Sequence, residues 1–63
     1  MKITIENKEF GLLAEISEID GKLKVVLWDI VSGDLMPEWN IFEEKQLDDA
    51  ISYARRITLM DRR

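Results

Sequence analysis

The sequence predicts an α+β fold: a three- to four-stranded antiparallel β-meander followed by one C-terminal helix packed on one face. Three observations carry this. Apolar residues alternate at period two through the first half of the chain, Asp20-Gly21 and Ser32-Gly33-Asp34 interrupt it with turn signals, and from Glu43 the apolar spacing becomes helical.

Ile3 and Ile5, then Phe10, Leu12, Ala14 and Ile16, alternate with mostly polar neighbours, which predicts strands over 2–6 and 9–18 with one buried face each. A two-residue turn at Asn7-Lys8 sets Ile5 opposite Phe10 and Ile3 opposite Leu12. It also sets Glu6 opposite Glu9, a like-charge pair that argues for a longer loop.

Asp20-Gly21 is the strongest local signal, because a type I′ turn needs positive φ at both central residues and Asp-Gly adopts it at low steric cost. With these two residues as the whole loop and a third strand over 22–31, Ile16 faces Val25, Ala14 faces Leu27, Ser17 faces Lys24 and Leu13 faces Trp28. One face then holds Ile3, Ile5, Phe10, Leu12, Ala14, Ile16, Leu23, Val25 and Leu27; the other holds Thr4, Leu13, Glu15, Ser17, Lys24, Val26, Trp28 and Ile30. A bulge at Gly21 slips the third strand by one residue and turns Val26, Trp28 and Ile30 into the core. The pattern permits both registers.

Ser32-Gly33-Asp34 makes the next turn, and a short, broken fourth strand is expected over 35–42, at an edge because Pro37 has no N–H to give a ladder. Leu47, Ala50, Ile51, Ala54, Ile57 and Thr58 then follow helical spacing, predicting a helix over 43–60, with Tyr53, Ile57 and Met60 as a second stripe. Glu43, Glu44, Asp48 and Asp49 lie in its first turns and Arg55, Arg56, Arg62 and Arg63 near its end, an order that complements the helix macrodipole.

With 63 residues the chain is expected to be a single domain spanning 1–63, too small to be robust without a staple. The absence of Cys removes disulfides, and with His absent as well zinc loses its usual ligands, leaving a good core or self-association as the source of stability. A 46% hydrophobic and 35% charged composition is that of a globular chain. No apolar run approaches the roughly 20 residues of a membrane span, no secretory leader is visible, and a cytoplasmic location without membrane contact is expected. Net charge is −7 over residues 1–54 and +3 over 55–63: an acidic body with a basic tail.

No nucleophile motif surrounds any Ser, Thr or Tyr, and Gly-x-Ser-x-Gly, P-loop and Gly-x-Gly-x-x-Gly patterns are absent, so the chain reads as a non-enzyme with no cofactor. Asp29, Asp34 and Glu38 flank a turn, which invites a hard cation. Their spacing does not match an EF-hand loop, and they read instead as turn formers and an acidic rim, with no metal.

Two indoles are many for so small an interior, and under the two-residue turn Trp28 joins Leu13, Val26 and Ile30 on the face away from the helix. With Trp39 these residues are the candidate partner-binding patch, since tryptophan is enriched among binding hot spots. The sequence thus favours a small acidic protein-binding module, a regulator or inhibitor that docks on a partner protein. In size and charge it is similar to small inhibitors of phages and mobile elements, anti-CRISPR proteins and antitoxins among them, a likeness of class alone. Two alternatives stand beside it: a nucleic-acid-binding homodimer using the sheet and Arg55, Arg56, Arg62 and Arg63, and a structural subunit of a larger assembly.

Overall fold

A computed structural model describes residues 1–60. Four antiparallel strands, β1 (Lys2–Asn7), β2 (Leu12–Ile19), β3 (Lys22–Asp29) and β4 (Leu35–Glu43), form one open sheet in chain order. A turn of 3₁₀ helix, Glu44–Gln46, leads into α1 (Leu47–Thr58), which lies across the sheet and touches every strand. The α+β meander with a C-terminal helix is therefore the observed fold, with four strands rather than three.

The second hairpin settles the register left open above. Asp20 and Gly21 have φ of 51° and 75°, as a type I′ turn requires, and Ile19 pairs with Lys22. Ile16 faces Val25, Ala14 faces Leu27, Ser17 faces Lys24 and Leu13 faces Trp28, so the bulged alternative is not adopted.

The first hairpin differs from its expected pairing. Ile3 faces Ile16 and Ile5 faces Ala14, across a four-residue loop at 8–11, and β2 begins at Leu12 rather than residue 9. Glu6 consequently sits opposite Leu13, and the Glu6–Glu9 repulsion of the two-residue turn is avoided. Because the pairing moves by an even number of residues, the same side chains still share the core face. Phe10 leaves the strand for the loop, where it packs half-buried against the core edge.

The loop is shaped by Asn7 and Gly11. The Asn7 Oδ1 accepts from the Phe10 N–H at 3.3 Å, and the Gly11 N–H donates to the Lys8 carbonyl at 3.3 Å. Gly11 is buried with φ +67°, and a Cβ there would meet Val31 Cγ2 at 2.9 Å. Asn7 also donates through Nδ2 to the carbonyl of Thr58 at 2.9 Å, tying the β1 terminus to the last turn of α1. Asn7→Asp keeps the shape but replaces that donor with a carboxylate at the negative end of the helix. The variant is expected to lose about 1–3 kcal/mol in urea denaturation, against less than about 1 kcal/mol for the exposed Asp48→Asn.

Between the sheet and α1 lie Leu12, Ala14, Ile16, Leu23, Val25 and Leu27 from the central strands and Ala50, Ala54 and Ile57 from the helix, all essentially shielded from solvent. Ile16, Leu23, Val25 and Leu27 are the largest side chains fully enclosed, each stabilising the fold by about 1.5–3 kcal/mol. Ala50 and Ala54, one helical turn apart, set the helix close to the sheet, while Leu47, Ile51 and Tyr53 close its flanks. Glu43 ends β4 instead of opening the helix, and Gln46 Oε1 reaches back to accept from its N–H at 2.9 Å. The helix ends at Thr58, short of residue 60; Thr58 is buried and its hydroxyl donates to the Arg55 carbonyl at 2.8 Å.

β4 continues through Pro37, with an irregularity in its pairing to β3 between Val26 and Trp28. Val26 pairs with Trp39 and Trp28 with Leu35, so β4 spends two extra residues over this stretch. The even excess keeps Leu35 and Trp39 on one face, and Pro37 sits in the irregular segment of an edge strand.

Candidate functional site

The helix covers one face of the sheet, and no described element covers the other. The register fixes what that outer face presents. Cross-strand rows run Glu6–Leu13–Trp28–Leu35, then Thr4–Glu15–Val26–Trp39, then Lys2–Ser17–Lys24–Ile41, and finally Ile19–Lys22–Glu43. The first three rows are polar at β1 and become apolar towards β4, whereas the last runs from Ile19 to the charged pair Lys22 and Glu43.

An antiparallel sheet with one solvated face normally places polar residues there. Here β3 and β4 place Val26, Trp28, Leu35, Trp39 and Ile41 on it instead. Trp39 is 60% exposed, Leu35 57% and Ile41 48%, whereas Trp28 is half-buried between Leu13 and Leu35. A shallow groove of about 280 Å³ runs between β3 and β4, lined by Lys24, Val26, Leu35, Met36, Trp39 and Ile41. Lys24, flanked by Ser17 and Ile41, is its cation.

Four of the five residues assigned from sequence to the partner-binding patch, Leu13, Val26, Trp28 and Trp39, thus share one face. The fifth, Ile30, lies beyond the end of β3 in the following turn, where its N–H donates to the Gly11 carbonyl at 2.9 Å. Its expected place in the third strand is corrected: the chain turns at Asp29, whose Oδ1 accepts from the Val31 and Ser32 N–H groups at 2.9 and 3.2 Å. Leu35, Ile41 and Lys24 were not assigned to the patch from sequence. Their signal was the alternation of Leu35, Trp39 and Ile41 at odd positions, obscured by Pro37.

The acidic rim resolves into separate local roles. Asp29 organises the turn, Asp34 donates its N–H to Ser32 Oγ at 3.3 Å, and Glu38 is half-buried in β4. Among the described residues, no group of three or more acidic side chains is placed to hold a metal ion.

Arg55 and Arg56 are exposed on α1, the element on the opposite side of the sheet from the indoles. The Arg56 guanidinium lies 5.6 Å from the centre of the Tyr53 ring. That ring in turn tilts against Phe42 at 5.8 Å, and the Tyr53 hydroxyl donates to the Trp39 carbonyl at 3.2 Å. Arg62 and Arg63 lie outside the described residues. Of the sheet's basic pair, Lys22 is bound to Glu43, leaving Lys24 as the cation beside the indoles. Tyr53 and Ile57 of the expected second stripe face the core, while Met60 is exposed beyond the helix end.

No helix among the described residues is long and apolar enough to cross a membrane. No family model, no curated protein and no solved structure matches the chain.

Proposed function

We propose that the chain is a non-enzymatic protein-binding module that regulates or inhibits a partner protein by docking through the outer face of β3 and β4. The carrying observation is the exposed indole of Trp39, set beside Leu35, Ile41 and Val26 on an uncovered face. An aromatic anchor ringed by aliphatic side chains and one cation has the make-up of an interface hot spot. The groove is too shallow to exclude water from a reacting group, which supports binding over catalysis. The Asp29–Asp34 turn borders the patch at Leu35 and Glu15 borders it at Val26, while the groove itself carries Lys24, so the partner it suits is an apolar protein surface with an acidic group positioned to meet Lys24.

A photo-crosslinking residue at Ile41 tests this in lysate of the cells that express the protein. The expected result is one discrete protein adduct that a Trp39→Asp substitution abolishes while circular dichroism is unchanged. The same crosslinker at Asp48, exposed on the helix, should give none. Equal adducts from both positions, or an adduct that survives Trp39→Asp, would remove the outer face from the reading.

A further inference from the structure

The two edges of the sheet are finished differently. In β4 the backbone groups that point away from β3 belong to the odd-numbered residues, and four of these five, 37, 39, 41 and 43, have one such group missing or engaged. Pro37 has no N–H, the Trp39 carbonyl accepts from the Tyr53 hydroxyl at 3.2 Å, and the Ile41 N–H donates to Asn40 Oδ1 at 2.8 Å. The Glu43 N–H is taken by Gln46. An edge so occupied by its own side chains is a poor template for another strand.

β1 has no such finish. The Glu18 N–H donates to the Met1 carbonyl at 3.3 Å, which marks Met1 and Glu18 as a hydrogen-bonded pair. By the alternation of antiparallel ladders, Ile3/Ile16, Ile5/Ala14 and Asn7/Leu12 are the next such pairs. The N–H and C=O groups of Lys2, Thr4 and Glu6 therefore point away from the sheet, and no hydrogen bond from the described residues reaches them.

We propose that β1 is a dimerisation edge and that its occupant is the β1 strand of a second copy, antiparallel and centred on Thr4. The sequence of this strand is complementary to itself in that register. Lys2 meets Glu6 of the partner subunit, Thr4 meets its own copy, and Glu6 meets Lys2 of the partner subunit. These are the three pairs whose outward N–H and C=O groups are available to bond. Opposite charges and Thr–Thr are favourable cross-strand pairs. Lys2 also lies 3.7 Å from Glu15 of its own chain, across on β2, so on association its ammonium stands between Glu15 and Glu6 of the partner subunit on the outer face.

Ile3 and Ile5, half-buried in one copy, meet across the junction on the inner face and extend the core. The two-fold axis stands perpendicular to the sheet, so both helices cover the same side of one continuous eight-stranded sheet, built from two sets of four. A parallel arrangement in register would set Lys2 against Lys2 and Glu6 against Glu6, so charge also specifies direction. This surface is separate from the docking face and does not depend on it.

Sedimentation equilibrium on the full chain, across micromolar to sub-millimolar concentration, tests the proposal. The wild type is expected to dimerise, and Thr4→Pro, which removes an outward N–H without touching the β2 ladder, is expected to be a folded monomer. Lys2→Glu and Glu6→Lys should each weaken self-association by roughly tenfold or more. Mixed together, these two variants should form a heterodimer, because a chain with Glu at 2 and 6 then faces one with Lys at both. A wild type that stays monomeric throughout overturns the proposal. So does a dimer indifferent to Thr4→Pro, or singly substituted chains that fail to associate on mixing while circular dichroism shows both folded.

Discussion

Leu27→Ala is expected to leave the protein at the margin of folding. Leu27 is fully enclosed, paired with Ala14 on the inner face and covered by α1. Truncating a leucine in such a site costs about 2–5 kcal/mol, the lost burial adding to the cavity left behind. A chain of 63 residues has about 3–9 kcal/mol of stability in total, and there is no disulfide to retain it. Small residues at 14, 50 and 54 make collapse around the gap difficult, because they bring no flexible side chain to fill it. Urea denaturation followed by circular dichroism should show a midpoint near zero denaturant or a broad transition. Leu35→Ala, on the uncovered face, should by contrast cost less than about 1 kcal/mol, since most of that side chain meets water already. Equal losses at the two leucines would mean that the helix does not cover the face assigned to it.

Gly11→Ala is expected to be the most damaging change in a loop. Two costs combine there: φ of +67° penalises any Cβ by about 1–2 kcal/mol, and the new methyl would stand 2.9 Å from Val31 Cγ2. The same residue supplies the carbonyl that accepts from the Ile30 N–H, so displacement of Gly11 also disturbs the turn after β3. A double-mutant cycle separates the two terms. Val31 is 86% exposed, and Val31→Ala alone should be close to neutral. In the double variant it should recover the steric part and leave about 1–2 kcal/mol of backbone cost. Full recovery would show that the conformation of residue 11 carries no penalty of its own.

The readability of this fold from sequence follows the strength of its local chemistry. Asp20-Gly21 prescribes a type I′ turn, and once that turn is fixed every pair from Ile19/Lys22 to Leu12/Asp29 follows by counting. The first hairpin was less legible because Asn7 acts through its side chain, bonding the Phe10 N–H and the Thr58 carbonyl, and neither bond leaves a mark on hydrophobic periodicity. The side chains nevertheless fell on the expected face, since an even change of register preserves the pleat. Ile30 was misplaced for a related reason: alternation continues past Asp29 in the sequence, whereas the Asp29 carboxylate ends the strand by capping the turn. On the outer face, Trp28 lies where one of the two registers open to the sequence puts it, whereas Leu35 and Ile41 were not assigned, because Pro37 breaks the alternation of the expected fourth strand and its two extra residues cancel in parity.

Placing the helix after all four strands has a consequence for how the molecule is made. Each strand pairs with its neighbour in sequence, so the sheet can zip through short loop closures as it emerges during synthesis. The inner surface of that nascent sheet, with Leu12, Ile16, Leu23, Val25 and Leu27 in line, has nothing to cover it until α1 arrives. The contact between Asn7 and Thr58, 51 residues apart, is among the last to close. Until the final turn of the helix leaves the ribosome, the chain is an unlidded apolar sheet, and its exposure to misassociation or chaperone capture is concentrated in that interval.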